Sequence, residues 1–406
     1  MKILVVLPRF PYPLEKGDKL RAYHQIVELS KHNEVYLYCV SHTKVTEAQR
    51  AALKPYCREI RVVRLNLLVC AFNVVCNWFA SKSLQMGYWN TGRSKRLCRA
   101  FAREVQPDVV YNQMVRTMPL VARLPFPKVM DFQDALSMNT ERRMELTTGF
   151  WHYVLHYEFK MLRSSEYNAF SFFDGLTIIS ETDSEAIPHK KSGEIRIVPN
   201  GVDTDYFNPD FRNTDGEAAG SMTHKPQYDI VFTGNMSYAP NVDAARYLVE
   251  EVMPLVWASC PGAKVLIAGA DPRPAVRALA NKGPKDSVTV SGRMDDIRTA
   301  YTSAAVFVAP MRIGSGMQNK LLEAMAMHRP CVTTSLAASP IGAVAGEHLF
   351  VGDSADELAS LIAQLMASDE QRDRIANNGF EFVQQHYAWP AAVKPLEELL
   401  HAVVTK

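Results

Sequence analysis

Short apolar runs alternate with segments of helical period along almost the whole chain. In the first half, runs at 2–7, 34–40, 60–65, 108–112, 127–131, 175–179 and 195–198 predict strands. Between them, 18–31, 46–56, 94–105 and a long pattern around 138–170 predict helices. The stretch "FNPDFRNTDGEAAGSMTHKPQ" (207–227) breaks the rhythm with Gly, Pro, Asn and Asp and reads as a linker. Beyond it, strands are predicted at 228–233, 264–268, 287–291, 304–309, 330–334 and 348–351. Helices are predicted at 241–257, 273–281, 295–303, 317–327, 354–367 and 370–385, and a last one at 390–404.

Strands that are apolar without alternation are buried on both faces, which means parallel sheets with helices on each side. The pattern therefore predicts an α/β chain of two doubly wound domains, 1–206 and 228–385, with 386–406 crossing back to the first. The two are expected to face each other across a cleft. In open α/β sheets, ligands sit outside the carboxyl ends of the strands.

Length agrees, because 406 residues exceed what one hydrophobic core usually organises. A net charge of +2 gives no global field that would draw nucleic acid. Seven cysteines without a CxxC pair read as reduced thiols, and hence a cytoplasmic protein. "MKILVVLPRF" is too short an apolar run for a signal peptide and reads as a first strand. The longest apolar stretch, 65–80, contains three Asn and falls short of the roughly 20 residues a spanning helix needs.

Candidate chemistry gathers at the exits of the second-half strands. The first ends in "TGNMSYAPN", with Gly234 and Asn235, and the third in Gly292-Arg293. The fourth runs into Arg312 and then "GSGMQNKLLEAMA" (314–326). Glycines let backbone N–H groups approach a ligand, and a helix start adds unpaired donors and partial positive charge. Asn319 and Lys320 stand in the first helical turn, and Arg312 is a second cation for a phosphate. The spacing is neither GxxxxGK[ST] nor GxGxxG. Glu323 could accept two hydrogen bonds from vicinal hydroxyls. A Lys320–Glu323 surface pair is the competing reading.

The stretch 314–334 resembles the nucleotide-sugar signature of GT-B glycosyltransferases, specifically glycosyltransferase family 4. The likeness extends through "DIVFTGNMSYAPNVDAARYL" (229–248), "VTVSGRMDDIRTAYTSAAVFVAP" (288–310) and "IVPNGVDTDYF" (197–207). "LPRFPYPLEKGDKLRAYH" (7–24) is similar to the N-terminal loop of a subgroup associated with bacterial exopolysaccharide synthesis. The resemblance implies a retaining, metal-independent enzyme that uses a nucleoside-diphosphate sugar and no cofactor. Glu323 would hold the ribose. Lys320 and the backbone of Gly314, Ser315, Gly316 and Met317 would face the diphosphate or sugar. Gly292 and Arg293 would border the base. Gly17 would line a loop over the phosphates, with Asp18 and Arg21 beside it. Two features depart from the family: Ser315 stands where many members carry a Glu, and the 234–238 loop lacks the usual Arg and Lys.

Lys320 is the candidate to neutralise the leaving diphosphate. "VMDFQDALS" (129–137) closes a first-half strand, so Gln133 and Asp134 are candidates to meet the transferred sugar, with helix capping by Asp131 or Asp134 as the alternative. His152 and His156 have metal-ligand spacing, yet an aromatic-rich helix favours packing, and no metal site is expected. "PNGVD" (199–203) predicts a turn with Gly201 left-handed. Residues 58–103 hold nine Lys/Arg and one acid, interleaved with Phe72, Trp78, Phe79, Tyr88 and Trp89. That suits peripheral association with an anionic membrane, and a solvated helical face is the alternative. No RNA-binding motif accompanies it.

The expected partners are a nucleotide-sugar donor and a glycan or lipid-linked acceptor, with no nucleic acid. A nucleotide-sugar epimerase or hydrolase, or an inactive nucleotide- or glycan-binding protein, are the alternatives.

Overall fold

The structure, a computed structural model, describes the chain apart from residues 15, 146, 212–225, 315, 316 and 406. Most of the expected linker, and Ser315 and Gly316, therefore lie outside the described residues. The chain divides into two compact units, Met1–Asn200 with Ala392–Lys406, and Gly201–Ala391.

In the first unit, β1 (Lys2–Leu7), β2 (Glu34–Ser41), β3 (Glu59–Arg64), β4 (Val109–Gln113), β5 (Lys128–Asp131), β6 (Gly175–Ile178) and β7 (Arg196–Ile197) form one sheet. Its order is β3-β2-β1-β4-β5-β6-β7, with every described pairing parallel. In the second unit, β8 (Tyr228–Thr233), β9 (Val265–Ala268), β10 (Val288–Gly292), β11 (Ala304–Ala309), β12 (Cys331–Thr333) and β13 (Phe350–Val351) follow the order β10-β9-β8-β11-β12-β13. These too are parallel. Ile3 to Leu7 are all buried, as a strand covered on both faces must be. Both sheets reverse order beside their first strand, β1 or β8, the position at which doubly wound folds bind ligands.

From Ala392 onward the last helix, Trp389–Val404, belongs to the first unit, and its Leu399 packs against Gly175. Its Glu397 accepts from Asn33 at 2.8 Å, and Glu398 pairs with Arg196 at 3.4 Å.

Three local expectations are corrected. The pattern at 138–170 forms two helices, Leu136–Glu145 and Phe150–Ala169, because Thr147-Thr148-Gly149 interrupts it and Gly149 takes a positive φ of 69°. Gly201 is not left-handed. A side chain is excluded there by Trp389, whose ring would lie 2.5 Å from an added Cβ. Of the aromatics in 58–103, Trp89 is buried and Tyr88 half-buried, so they are part of the packed unit rather than its face.

Arg21 is also corrected. Its guanidinium is 1% exposed and spends every donor internally. It bonds both Asp131 oxygens, at 2.7 and 3.2 Å, and the carbonyls of Val198 and Pro199 and the Asn200 side chain, at 2.8 to 3.1 Å. Asp131 is likewise buried and also accepts from Tyr111 and Thr177. A phosphate would find no free donor on Arg21. The residue ties the helix Gly17–Ser30 to the exits of β5 and β7. Breaking a buried pair leaves the partner charge uncompensated, so Arg21→Met should cost about 3–5 kcal/mol in the first unit. Chemical denaturation followed by Trp fluorescence checks this, and an unchanged midpoint would refute it.

Candidate functional site

Glycines at the exits of β8, β9 and β10 bring the backbone of three strands together. Gly234 donates to Ala268 and Gly269 donates to Gly292, each at 3.0 Å. Gly269 has φ 143°, and a Cβ there would fall 1.8 Å from the Gly234 carbonyl oxygen, so no other residue fits. Above this floor lies a cavity of about 430 Å³. Thr233, Gly234, Asn235, Asn241, Met317, Asn319, Lys320 and Glu323 are among its walls.

Lys320 and Glu323 both reach this cavity from the helix Asn319–Ala326, but they do not pair with each other. Lys320 Nζ donates to Asn241 Oδ1 and stands 4.8 Å from the centre of the Phe232 ring. Burial pushes its pKa down to about 8, against the partial support of Glu323. Glu323 accepts from the Tyr301 hydroxyl at 2.7 Å. Burial raises its pKa, while Tyr301 and Lys320 pull the other way. Tyr301 is fully buried, and its hydroxyl also lies 3.0 Å from Thr233 Oγ1. The surface-pair reading thus fails, since each charge has a neutral partner. Asn319 Oδ1 is buried and makes no hydrogen bond. The helix start has no side-chain cap from Gln318, and Leu321 N–H donates to the Gln318 carbonyl at 2.9 Å.

Several expected residues lie elsewhere. Arg312 is corrected: it binds Asp243 at 3.0 Å and Glu251 at 3.2 Å and lies over the Tyr247 ring at 4.0 Å, so its charge is spent away from the cavity. Gly292 and Arg293 line a separate hollow of about 420 Å³ with Asp271 and Arg277. Asn235 lines the main cavity, while its Oδ1 accepts from Ser237. Gly314 has φ 131° and precedes the two undescribed residues. In the first unit, Gly17 opens its helix and Asp18 pairs with Arg9 at 2.9 Å.

Gln133 and Asp134 follow β5. Gln133 is held at φ 65°, with its Nε2 buried and unbonded. Asp134 Oδ2 accepts from Asn139 at 2.8 Å, whereas Oδ1 is buried without a partner. Burial first, then Asp183, pushes its pKa up to about 6, and Arg116 opposes the shift. Capping of the next helix falls to others, as Ala135 N–H donates to Asp183 and Ser137 N–H to Glu166. His152 Nδ1 sits 3.2 Å from the carbonyls of Met144 and Thr147, and His156 is exposed. Among the described residues, no group of three or more His, Cys, Asp or Glu could hold a metal.

Sequence reasoning missed Asn241 and Tyr301. Asn241 stands in the quoted "YAPN", but nothing in the pattern links it to Lys320. A buried Tyr needs a hydroxyl partner, which was the one usable signal for Tyr301.

Residues 227–368 match the family model described as glycosyl transferases group 1. This part of the chain is a glycosyltransferase group 1 domain. The whole chain is similar to an uncharacterized 44.6 kDa protein in the cps region of Klebsiella pneumoniae, 23% identical over 397 residues, covering 95% of this chain and 96% of that one. It is also similar to the crystal structure of a glycosyltransferase from Rickettsia africae ESF-5, at 13% identity and TM-score 0.66, covering 100% and 99% of the two chains. Anabaena Alr3699/HepE in complex with UDP and glucose gives 13% identity and TM-score 0.65, covering 99% and 100%. These structures show a GT-B fold. The resemblance seen in the sequence thus holds for the fold and the group 1 domain, and family 4 is compatible with both.

Tyr301→Phe removes the hydrogen bond to Glu323 in this domain. It should cost about 1–3 kcal/mol of stability, because a buried carboxylate loses its donor. Thermal unfolding measures the loss, and an unshifted transition would argue against it.

Proposed function

We propose that the protein is a retaining, metal-independent glycosyltransferase. It moves a sugar from a nucleoside-diphosphate sugar to a glycan or lipid-linked acceptor in bacterial surface polysaccharide synthesis. The observation that carries this reading is the cavity in which Lys320 and Glu323 stand apart on separate neutral partners. A nucleoside diphosphate needs both: a cation where charge grows on the leaving phosphate, and a carboxylate for the ribose hydroxyls. The retaining course and the absence of a metal requirement rest on the family 4 resemblance. The surface-polysaccharide setting is supported by the relative in the Klebsiella cps region.

During transfer, the bond from the sugar carbon to the diphosphate oxygen breaks, a bond to the acceptor oxygen forms on the same face, and the acceptor hydroxyl's proton passes to the leaving diphosphate. Lys320 and the N-terminal end of its helix meet the charge left on the diphosphate. Gln133 and Asp134 are the proposed contribution of the first unit.

Titration calorimetry should detect a UDP- or GDP-sugar that still binds in EDTA, and loss of binding on chelation would contradict the reading. Glu323→Ala should weaken the nucleotide by about 1.5–3 kcal/mol, or roughly tenfold to a hundredfold. An unchanged affinity removes the ribose assignment.

The pH profile is a separate test. Lys320 acts when protonated and its pKa lies at about 8, so kcat/KM falls as pH rises through that value. Asp134 acts when ionised and its pKa lies at about 6, so kcat/KM also falls as pH drops through that value. Each limb approaches about tenfold per pH unit, because the profile reports the free enzyme. Asp134→Asn should abolish the acid limb, and persistence of that limb in the variant would exclude Asp134 as its source.

A further inference from the structure

In the first unit, the helix Leu67–Phe79 is amphipathic in the inverse sense. It carries no charged residue. Its polar side faces the protein: Asn77 donates to the Ser83 carbonyl at 2.7 Å, Asn73 donates to the Asn90 carbonyl at 3.4 Å, and Cys70, about one turn before Asn73 on the same side, is buried. Gly87 admits this face, because an added Cβ would meet the Asn73 carbonyl oxygen at 2.8 Å. The opposite stripe, at helical spacing, is Leu68, Phe72, Val75 and Phe79. All four are exposed, with Leu68 at 82% and Phe79 at 83%.

A second helix extends this surface. The Trp78 and Tyr157 rings stack at 4.6 Å, and the Tyr157 hydroxyl, with one proton to donate, lies within 3.1 to 3.2 Å of the carbonyls of Asn77, Trp78 and Lys82. Glu158 takes the Ser83 hydroxyl and the Leu84 N–H at 2.6 and 2.7 Å. The first turns of that helix present Phe150, Trp151 and Tyr153, each exposed by 65% or more. Phe150, Tyr153 and Tyr157 fall at i, i+3 and i+7, one stripe leading to Trp78.

The surroundings are cationic. Between 64 and 103 there are seven Lys/Arg and no Asp or Glu. Lys82 and Arg123 are near enough to Lys95 that their charges act on it. An apolar face on a segment rich in Lys and Arg and free of acids complements an anionic lipid surface, where the cations meet headgroups and the stripe reaches the acyl boundary. A second copy of the chain fits less well, because a two-fold contact would bring the same cationic segment against itself. We propose that the helix Leu67–Phe79, with the Phe150–Tyr153 turn, docks the first unit in the interface of an anionic bilayer. This stands independently of the proposed transferase activity. No described helix is long and apolar enough to cross a membrane, so the chain would lie on its surface through this face.

The full chain should co-sediment with vesicles of phosphatidylcholine plus phosphatidylglycerol, and much less with pure phosphatidylcholine. Phe72→Glu/Phe79→Glu should lower partitioning by about tenfold or more. Lys82→Glu/Lys95→Glu should lower it about fivefold per charge, on anionic vesicles only. Thermal unfolding of each variant reports folding, and the milder Leu68→Gln provides the reading if the double change prevents it. Absence of binding to anionic vesicles overturns the proposal, as does binding that none of these variants weakens. Light scattering that shows a wild-type dimer split by Phe72→Glu/Phe79→Glu would overturn it too, by assigning the face to a second copy. A loss of nucleotide affinity alone would bear on the transferase reading instead.

Discussion

A parallel sheet covered by helices on both faces has no wet side on which to place chemistry. Its strands are apolar along their length, and polar groups enter only where the backbone leaves the sheet. This constraint organises both units. In the second, Gly234, Gly269 and Gly292 all stand at such exits, and the contact between Gly269 and the Gly234 carbonyl is closer than any side chain permits. The cavity lies where the backbone leaves β8 and β9 through Gly234 and Gly269. Lys320 and Glu323 reach it from the helix that follows the fourth exit.

Charges placed at such exits lose water, and the two units handle that cost in opposite ways. Arg21 and Asp131 neutralise each other in a closed network and are unavailable for chemistry. Lys320 and Glu323 are kept from doing so. Asn241 holds one and Tyr301 the other, so each charge is oriented yet lacks a counter-ion. The resulting pKa shifts run toward the neutral forms, down for Lys320 and up for Glu323. A ligand that supplies a phosphate to one and hydroxyls to the other relieves both at once. Groups left short of partners by the fold are those that gain most from a ligand.

The strands were legible because a run of Val, Ile, Leu and Phe between turn residues admits few other readings. All thirteen expected strands stand within a residue or two of their predicted places. Lys320, Glu323 and Asn319 were legible through the loop and helix that carry them. Arg21 and Arg312 were not, because a cation near a strand exit looks the same in sequence whether it serves a ligand or an internal carboxylate. The deciding partners, Asp131 and Asp243, lie 110 and 69 residues away. Tyr301 and Asn241 were hidden for the same reason: their roles are relations across the fold rather than local patterns.

The helix Leu67–Phe79 shows where periodicity misleads. Its apolar stripe has the spacing of a core-facing helix, and a periodicity argument alone would bury it. The three asparagines decide otherwise. Asn73 and Asn77 find backbone carbonyls on the inner side, and Asn66 accepts the first N–H groups at the helix start. Once the polar side is committed inward, the 100° turn per residue sends Leu68, Phe72, Val75 and Phe79 outward. Hydrogen bonding here sets the direction of the hydrophobic face. The same preference that keeps a buried amide satisfied leaves an apolar surface in need of a cover.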